Sequence, residues 1–270
     1  MIHPHYMVKT LRDHLGLLIF ALLVVGLMQL LIFTLVSQLE IVSILQVFVA
    51  QLPAAVRETL GEELLAQTSI TGVVAFGYNH PLVLALMSIL AIVLPARHIA
   101  GEIETGVMES ILSLPVKRIS IVLSLWLFSA LALFLVLSGA WLGTFMGTVI
   151  FREADVLPCV NVFWIGINLW LLMMTINAYT FLISAYSREG GRAALGAGGL
   201  TLFLYFLNVI AGIWPAIGFL RPFSIFHYYR PAQTMAGEGG LAENLAVLGG
   251  LGVLTSAIAM RRIVTRDIPG

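Results

Sequence analysis

Residues 119–150 read ISIVLSLWLFSALALFLVLSGAWLGTFMGTVI and contain no charged side chain. About 20 apolar helical residues cross a hydrocarbon core of about 30 Å, so this run is longer than a bilayer needs. The excess implies tilt or protrusion. A soluble helix of this length would keep one polar face for water, and this one has none. Working outward, similar apolar runs occupy residues 15–36, 81–96, 160–186, 193–215 and 241–260. The chain has 270 residues, 60% hydrophobic and 10% charged, with a mean hydropathy of +1.01. Soluble domains carry roughly 25% charged residues. In hydrocarbon every backbone polar group must be satisfied internally, which leaves helices or closed barrels. The runs are too long for the ten-residue alternating strands of a barrel. The expectation is an all-α integral membrane protein, one transmembrane domain over 1–270, with six transmembrane helices.

The connecting segments carry the charge. Residues 1–14 hold His3, His5, Lys9, Arg12, Asp13 and His14 among apolar residues, and read as an N-terminal interfacial helix. The first apolar run is too long for a signal sequence and no Ala-x-Ala site follows it, so it reads as a retained anchor. Residues 37–80 form a long polar interlude with two helix-like pieces, near 40–51 and 53–66. These are expected as short extracytoplasmic helices. Orientation follows from the basic residues. Lys9, Arg12, Arg97, Lys117, Arg118, Arg188, Arg192, Arg261, Arg262 and Arg266 fall on one side; Arg57, Arg152, Arg221 and Arg230 fall on the other. That is ten against four of the 14. The first side is expected to face the cytoplasm, with both termini, 97–118 and the turn at 187–192. The 37–80 segment and the 217–240 loop then lie outside a multi-pass inner membrane protein.

Several chemistries are missing. Acidic and basic residues balance at 14 each, which gives no hint of a nucleic-acid partner. The single cysteine, Cys159, allows no intrachain disulfide. No GxxxxGK[ST] phosphate loop occurs, so the chain cannot bind ATP in that manner. No HExxH, CxxC or GxSxG is present. No catalytic residue, cofactor or metal site is expected. His3-x-His5 reads either as a weak metal pair or as two polar residues on an interfacial helix. Ionisable groups are nearly absent from the span centres, where proton pumps and ion-coupled carriers place them. The polar residues there are neutral: Gln29, Asn168, Asn177 and Asn208.

Asn161, Trp164 and Asn168 share one face of the fourth span by their spacing. They read as a substrate path or as interhelical hydrogen-bonding groups. Gly139, Gly143 and Gly147 recur at i+4 in the third span and clear a stripe for close helix packing. The stripe does not say whether its partner is another span of this chain or another subunit. Gly249, Gly250 and Gly252 form a looser cluster in the last span.

Residues 97–118 read RHIAGEIETGVMESILSLPVKR. Ile99, Ile103, Val107 and Ile111 recur at i+4 as an apolar stripe, while Glu102 and Glu109 share another face. Pro115 stops the helix, and Lys117 and Arg118 suit anionic headgroups. A helix lying on the membrane in this way suits docking to a cytoplasmic partner. It equally suits an ordinary interfacial connection between spans.

The segment resembles the cytoplasmic loop of type-2 ABC exporter permeases. That pattern runs roughly Ala-Gly-Glu-x-Glu-x-Gly-Thr-x-Glu-x-Leu-Leu-x-x-Pro-hydrophobic-x-Arg. Ala100, Gly101, Glu102, Glu104, Gly106, Glu109, Leu112, Pro115, Val116 and Arg118 stand in register with it. Val107 departs from the usual Thr, and Ile111 is a milder change. Residues 52–61 are similar to an extracytoplasmic helix pair in one branch of the family. PFSIFHYYRP at 222–231 resembles the loop before the last span, and Arg266-Asp267-Ile268 resembles the usual C-terminus. The resemblance implies a coupling helix that docks in a groove of a separate ABC ATPase subunit. It implies two permeases, as a homo- or heterodimer, working with two ATPases. ATP and Mg would bind to the partner ATPase, with no cofactor on this chain. By position, Glu102, Glu104 and Glu109 would be polar contacts to the ATPase and Gly106 would allow close approach. Pro115 and Arg118 would fix the return into the third span. The implied function is outward transport of a substrate the sequence does not name. The alternatives are a carrier or channel with no ATPase, and an intramembrane enzyme, for which no nucleophile and base pair stands out.

Overall fold

The computed structural model describes residues 4–38, 47, 70–108, 118–151 and 157–265. Among the described residues all regular structure is helical. Six helices are long and apolar enough to cross a membrane: Tyr6–Leu35, Thr71–Glu104, Arg118–Phe151, Cys159–Tyr186, Gly190–Ile213 and Leu241–Thr265.

Helix α1 spans Pro4–Gln38 without a break. The interfacial helix expected over 1–14 is therefore not a separate element. After Pro4 no residue in this stretch lacks a backbone donor, so nothing interrupts the helical ladder. Thr10 and His14 face the bundle and are buried. Their apolar neighbours Val8, Leu11 and Leu15 face outward.

The polar reading of 37–80 changes at its end. Helix α2, Ile70–Tyr78, is part of the core. Val74, Ala75 and Tyr78 are fully buried. Gln29 of α1 donates from Nε2 to the Val74 carbonyl at 3.1 Å, which explains the polar residue in that span. The helix-like pieces near 40–51 and 53–66 lie outside the described residues. Helix α3, Pro81–Pro95, starts with Pro81 in its first turn and with His80 as cap, its Nδ1 accepting from Leu82 N–H at 3.3 Å.

At its far end α3 does not stop. Pro95 has no N–H to give, and the Ala96 N–H is shared between the Ile92 and Val93 carbonyls. The register then loosens into a π-helical turn, Ala96–Gly101, followed by a helical turn at Glu102–Glu104. The expected stripe divides accordingly. Ile99 is buried, Ile103 is half-buried and Val107 is exposed, while Ile111 lies outside the described residues.

Helix α4, Arg118–Phe151, lies along α1. Its glycine stripe is the seam between them, within this one chain. A Cβ at Gly139 would strike the Leu22 carbonyl, one at Gly143 the Gly26 carbonyl, and one at Gly147 the Phe33 ring. Helix α5, Cys159–Tyr186, is the centre of the bundle, touching α3, α4 and the two helices that follow. Helix α6, Gly190–Ile213, is mostly exposed along its outer flank.

The chain after α6, expected on the outer side over 217–240, is a folded segment that packs back along α6. A 3₁₀ segment, Pro215–Phe223, packs against α6, and Ser224 donates from Oγ to the Leu204 carbonyl at 2.7 Å. Leu204 lies nine residues before the end of α6, or about 14 Å back along its axis. A second turn, Ile225–Tyr228, and helix α7, Pro231–Ala236, complete this re-entry. Helix α7 ends on Gly237 with φ of +74°, a left-handed position that glycine adopts without strain. Helix α8, Leu241–Thr265, closes the bundle against α5. A Cβ on its Gly249 or Gly250 would meet no described atom within 4 Å.

Candidate functional site

The charged end of α3 is built from three parts of the chain. Glu102 is only 13% exposed along its side chain. The Tyr6 hydroxyl of α1 donates to both its oxygens, at 3.1 and 3.2 Å. His98 Nδ1, one turn earlier, lies 2.9 Å from Oε1. Glu104 reaches a different helix, its Oε2 accepting from the Gly190 N–H at 2.9 Å. That places a carboxylate on the first free N–H of α6, where the helix dipole favours negative charge. The backbones meet closely here. A Cβ on Gly190 would lie 3.1 Å from Gly101 Cα and 3.2 Å from the Ala96 carbonyl oxygen. The π-helical turn thus presents glycine to glycine at the joint with α6.

The segment turns at Thr105 and Gly106. Thr105 donates from both N–H and Oγ1 to the Gly101 carbonyl, at 3.1 and 3.0 Å. Gly106 has φ of +72°, and a Cβ there would meet nothing within 4 Å. Among the described residues its requirement is the left-handed backbone and not a close neighbour. Arg118 opens α4 half-buried, beside a cavity also lined by His98, Ile99, Met108, Ile121 and Ile263. Glu109 and Pro115 lie outside the described residues.

The other candidate face lies on α5. Asn161 donates from Nδ2 to the Met235 carbonyl at 2.9 Å, and Asn168 to the Tyr228 carbonyl at 3.1 Å. Both amides hold the re-entrant segment onto α5. Trp164 does not join them. It is 37% exposed and packs edge-on against Phe163, 5.7 Å between centroids. The three residues share a helix face in sequence, but the structure brings only the two asparagines to one neighbour.

The same segment is held by groups that local spacing does not mark. The Tyr229 hydroxyl donates to the Tyr78 carbonyl at 3.0 Å, and the Tyr78 hydroxyl pairs with Thr144 Oγ1 at 2.9 Å. Burial, and then the nearby Tyr78, hold the Tyr229 phenol well above its ordinary pKa, so it stays a donor. At the rim, Arg230 bonds the His227 ring and carbonyl, and Arg221 Nε donates to Asn208 Oδ1 at 3.4 Å. Burial lowers the His227 pKa, and the Arg230 and Arg221 guanidiniums lower it further.

Among the described residues no group of three or more His, Cys, Asp or Glu is arranged to hold a metal ion. The side chains of His3 and His5 lie outside the described set. At the end of α3, two carboxylates tie one short segment to two spans. No curated protein matches the chain. A family model described as "ABC-2 family transporter protein" matches residues 5–268, nearly the whole chain. With six helices able to cross a bilayer and a match running through all of them, the chain belongs to the ABC-2 family of transporter proteins, as a multi-pass membrane subunit of an ABC transporter.

Proposed function

We propose that this chain is the permease of an ATP-driven exporter in the cytoplasmic membrane, and that its 97–118 segment receives the stroke of a separate ABC ATPase. The observation that carries this is the double attachment of that segment. Glu102 grips α1 through Tyr6, and Glu104 grips the start of α6 through Gly190. A push on the segment therefore reaches two spans at once. ATP and Mg stay on the ATPase, and a second permease copy or paralogue completes the transporter.

In this reading Glu102 and Glu104 hold the segment to the bundle. The ATPase meets the exposed rim at Thr105 and Val107, together with the Glu109 side. Gly106 forms the turn between them, and Pro115 and Arg118 lead back into α4. The charge grouping supports a cytoplasmic placement. Residues 97–104, 118, 190 and 263 gather at one end of the bundle, since Glu104 bonds Gly190 while His98, Arg118 and Ile263 line one cavity. Ten of 14 basic residues belong to that side by loop assignment.

The test is reconstitution with the cognate ATPase in vesicles. Glu102→Gln and Glu104→Gln together are expected to keep ATPase binding and to lower transport per ATP hydrolysed at least tenfold. Val107→Glu at the rim is expected to weaken ATPase binding itself. Selective labelling of a cysteine at 105 from outside intact cells would overturn the placement and the coupling with it.

A further inference from the structure

Next to Glu102 lies a row of polar atoms whose bonding is incomplete while the imidazoles are neutral. His98 Nδ1 faces Glu102 Oε1 at 2.9 Å, and His14 Nδ1 faces the Thr10 carbonyl at 3.1 Å. A carboxylate and a carbonyl only accept, so both Nδ1 atoms carry hydrogen. Each neutral ring then has a bare lone pair at Nε2. Among the described residues neither Nε2 atom has a partner, and both lie in buried residues, 2% exposed for His14 and 6% for His98. The ring centroids are 5.1 Å apart. Glu102 meanwhile bonds a phenol and an imidazole, and a nearly buried carboxylate calls for a cation.

One added proton answers all three deficits. Placed on His98 Nε2, it makes an imidazolium opposite Glu102. It also turns that nitrogen into a donor, with the orphaned His14 Nε2 as its acceptor after a rotation of the rings. The resulting chain runs from Glu102 through His98 and His14 to the Thr10 carbonyl. A second proton would place two cations side by side, with Arg97 also near.

The geometry points to a one-proton site shared by His14 and His98, whose charging tightens the hold of the 97–104 turn on α1. Among the described residues the groups facing it come from three helices and the turn. From α1 they are Tyr6 and Asp13; from the turn, Arg97 and Glu102; from α4, Arg118 beside His98 and the Phe128 ring 6.4 Å from His14. Helix α8 contributes Ile263 to the cavity beside His98. The site deepens the coupling proposal, because the same Glu102 closes the attachment to α1; it would make that attachment respond to cytoplasmic pH.

The experiment is histidine nitrogen NMR on the full chain, labelled at its imidazoles and held in lipid nanodiscs, between about pH 5 and 8, where imidazoles ordinarily titrate. His14→Gln and His98→Gln assign the two rings. The expected result is uptake of one proton by the pair, with both rings responding together. Glu102→Gln should lower the proton affinity at least tenfold. A second readout covers variants that fold poorly. Spin labels at positions 8 and 105, in a Cys159→Ser background, should show a narrower distance distribution at low pH, lost in Glu102→Gln. Two protons taken up independently, or none over this range, would overturn the proposal. No ATPase is present in either measurement, so loss of ATPase docking with this titration intact would sink the coupling reading alone.

Discussion

The two ends of the bundle are held by different chemistry. At the end carrying Glu102 and Glu104, the contacts run between ionisable side chains and a helix terminus: Tyr6 to Glu102, His98 to Glu102, Gly190 to Glu104. At the re-entrant end, inside a rim of Arg221, His227 and Arg230, they run from neutral side chains to backbone carbonyls: Asn161 to Met235, Asn168 to Tyr228, Tyr229 to Tyr78, Ser224 to Leu204. A neutral bond to a carbonyl is unchanged by a proton or a moving charge. A carboxylate bonded to an imidazole and a phenol is not. The first end is therefore held by contacts that a change of charge would alter, and the re-entrant end by contacts that it would not.

Four substitutions break or sharpen that contrast. The largest effect is expected at the seam that joins both ends. Gly143→Leu drives a side chain into the Gly26 carbonyl. Overpacking of this kind costs about 1–3 kcal/mol or more. The yield of monodisperse protein and its thermal midpoint in detergent should both collapse, and a midpoint within two degrees of wild type would refute the seam. Next comes Asn168→Leu, which leaves the half-buried Tyr228 carbonyl without its donor. The expected loss is about 1–3 kcal/mol. It should be the same at every pH, and a pH-dependent loss would erase the contrast between the ends.

Glu102→Gln is expected to change stability by less than about 1 kcal/mol, since the amide can still accept from Tyr6. Its signature is functional, seen as uncoupling in reconstituted vesicles. The smallest effect belongs to His227, the titrating group of the re-entrant segment that burial and two arginines keep neutral. Its folded pKa is depressed, so the unfolded chain takes the proton first as pH falls below about 6.5. Stability is full above that value and declines below it. His227→Gln should flatten this decline in an unfolding series from pH 7.5 to 5. Because the group is partly exposed, the slope will be shallow.

Much of the architecture was legible because its signals are local. Apolar length marks a span wherever it occurs, and six spans follow from it. An i+4 glycine stripe marks close packing. The run Ala100–Arg118 carries the family's pattern within a few turns of chain. Where the reading changed, the deciding contact was distant. Helix α2 looked like the end of a polar segment until Gln29 and Thr144 supplied partners for its polar atoms. The stretch after α6 read as a plain loop until Leu204 and Asn168 supplied partners that fold it onto α6 and α5. Asn161, Trp164 and Asn168 shared a helical face, but only tertiary packing could separate the tryptophan from the two amides.

The sequence by itself determined that the chain must be helical and lipid-embedded, because so apolar a polymer has no other way to satisfy its backbone. It also placed the acidic segment between the second and third spans. Only the tertiary structure decided what those acids hold. Glu102 and Tyr6 lie 96 residues apart, and Glu104 and Gly190 lie 86 apart. No local periodicity encodes such pairings, since they exist only once six packed helices bring three chain segments to one end.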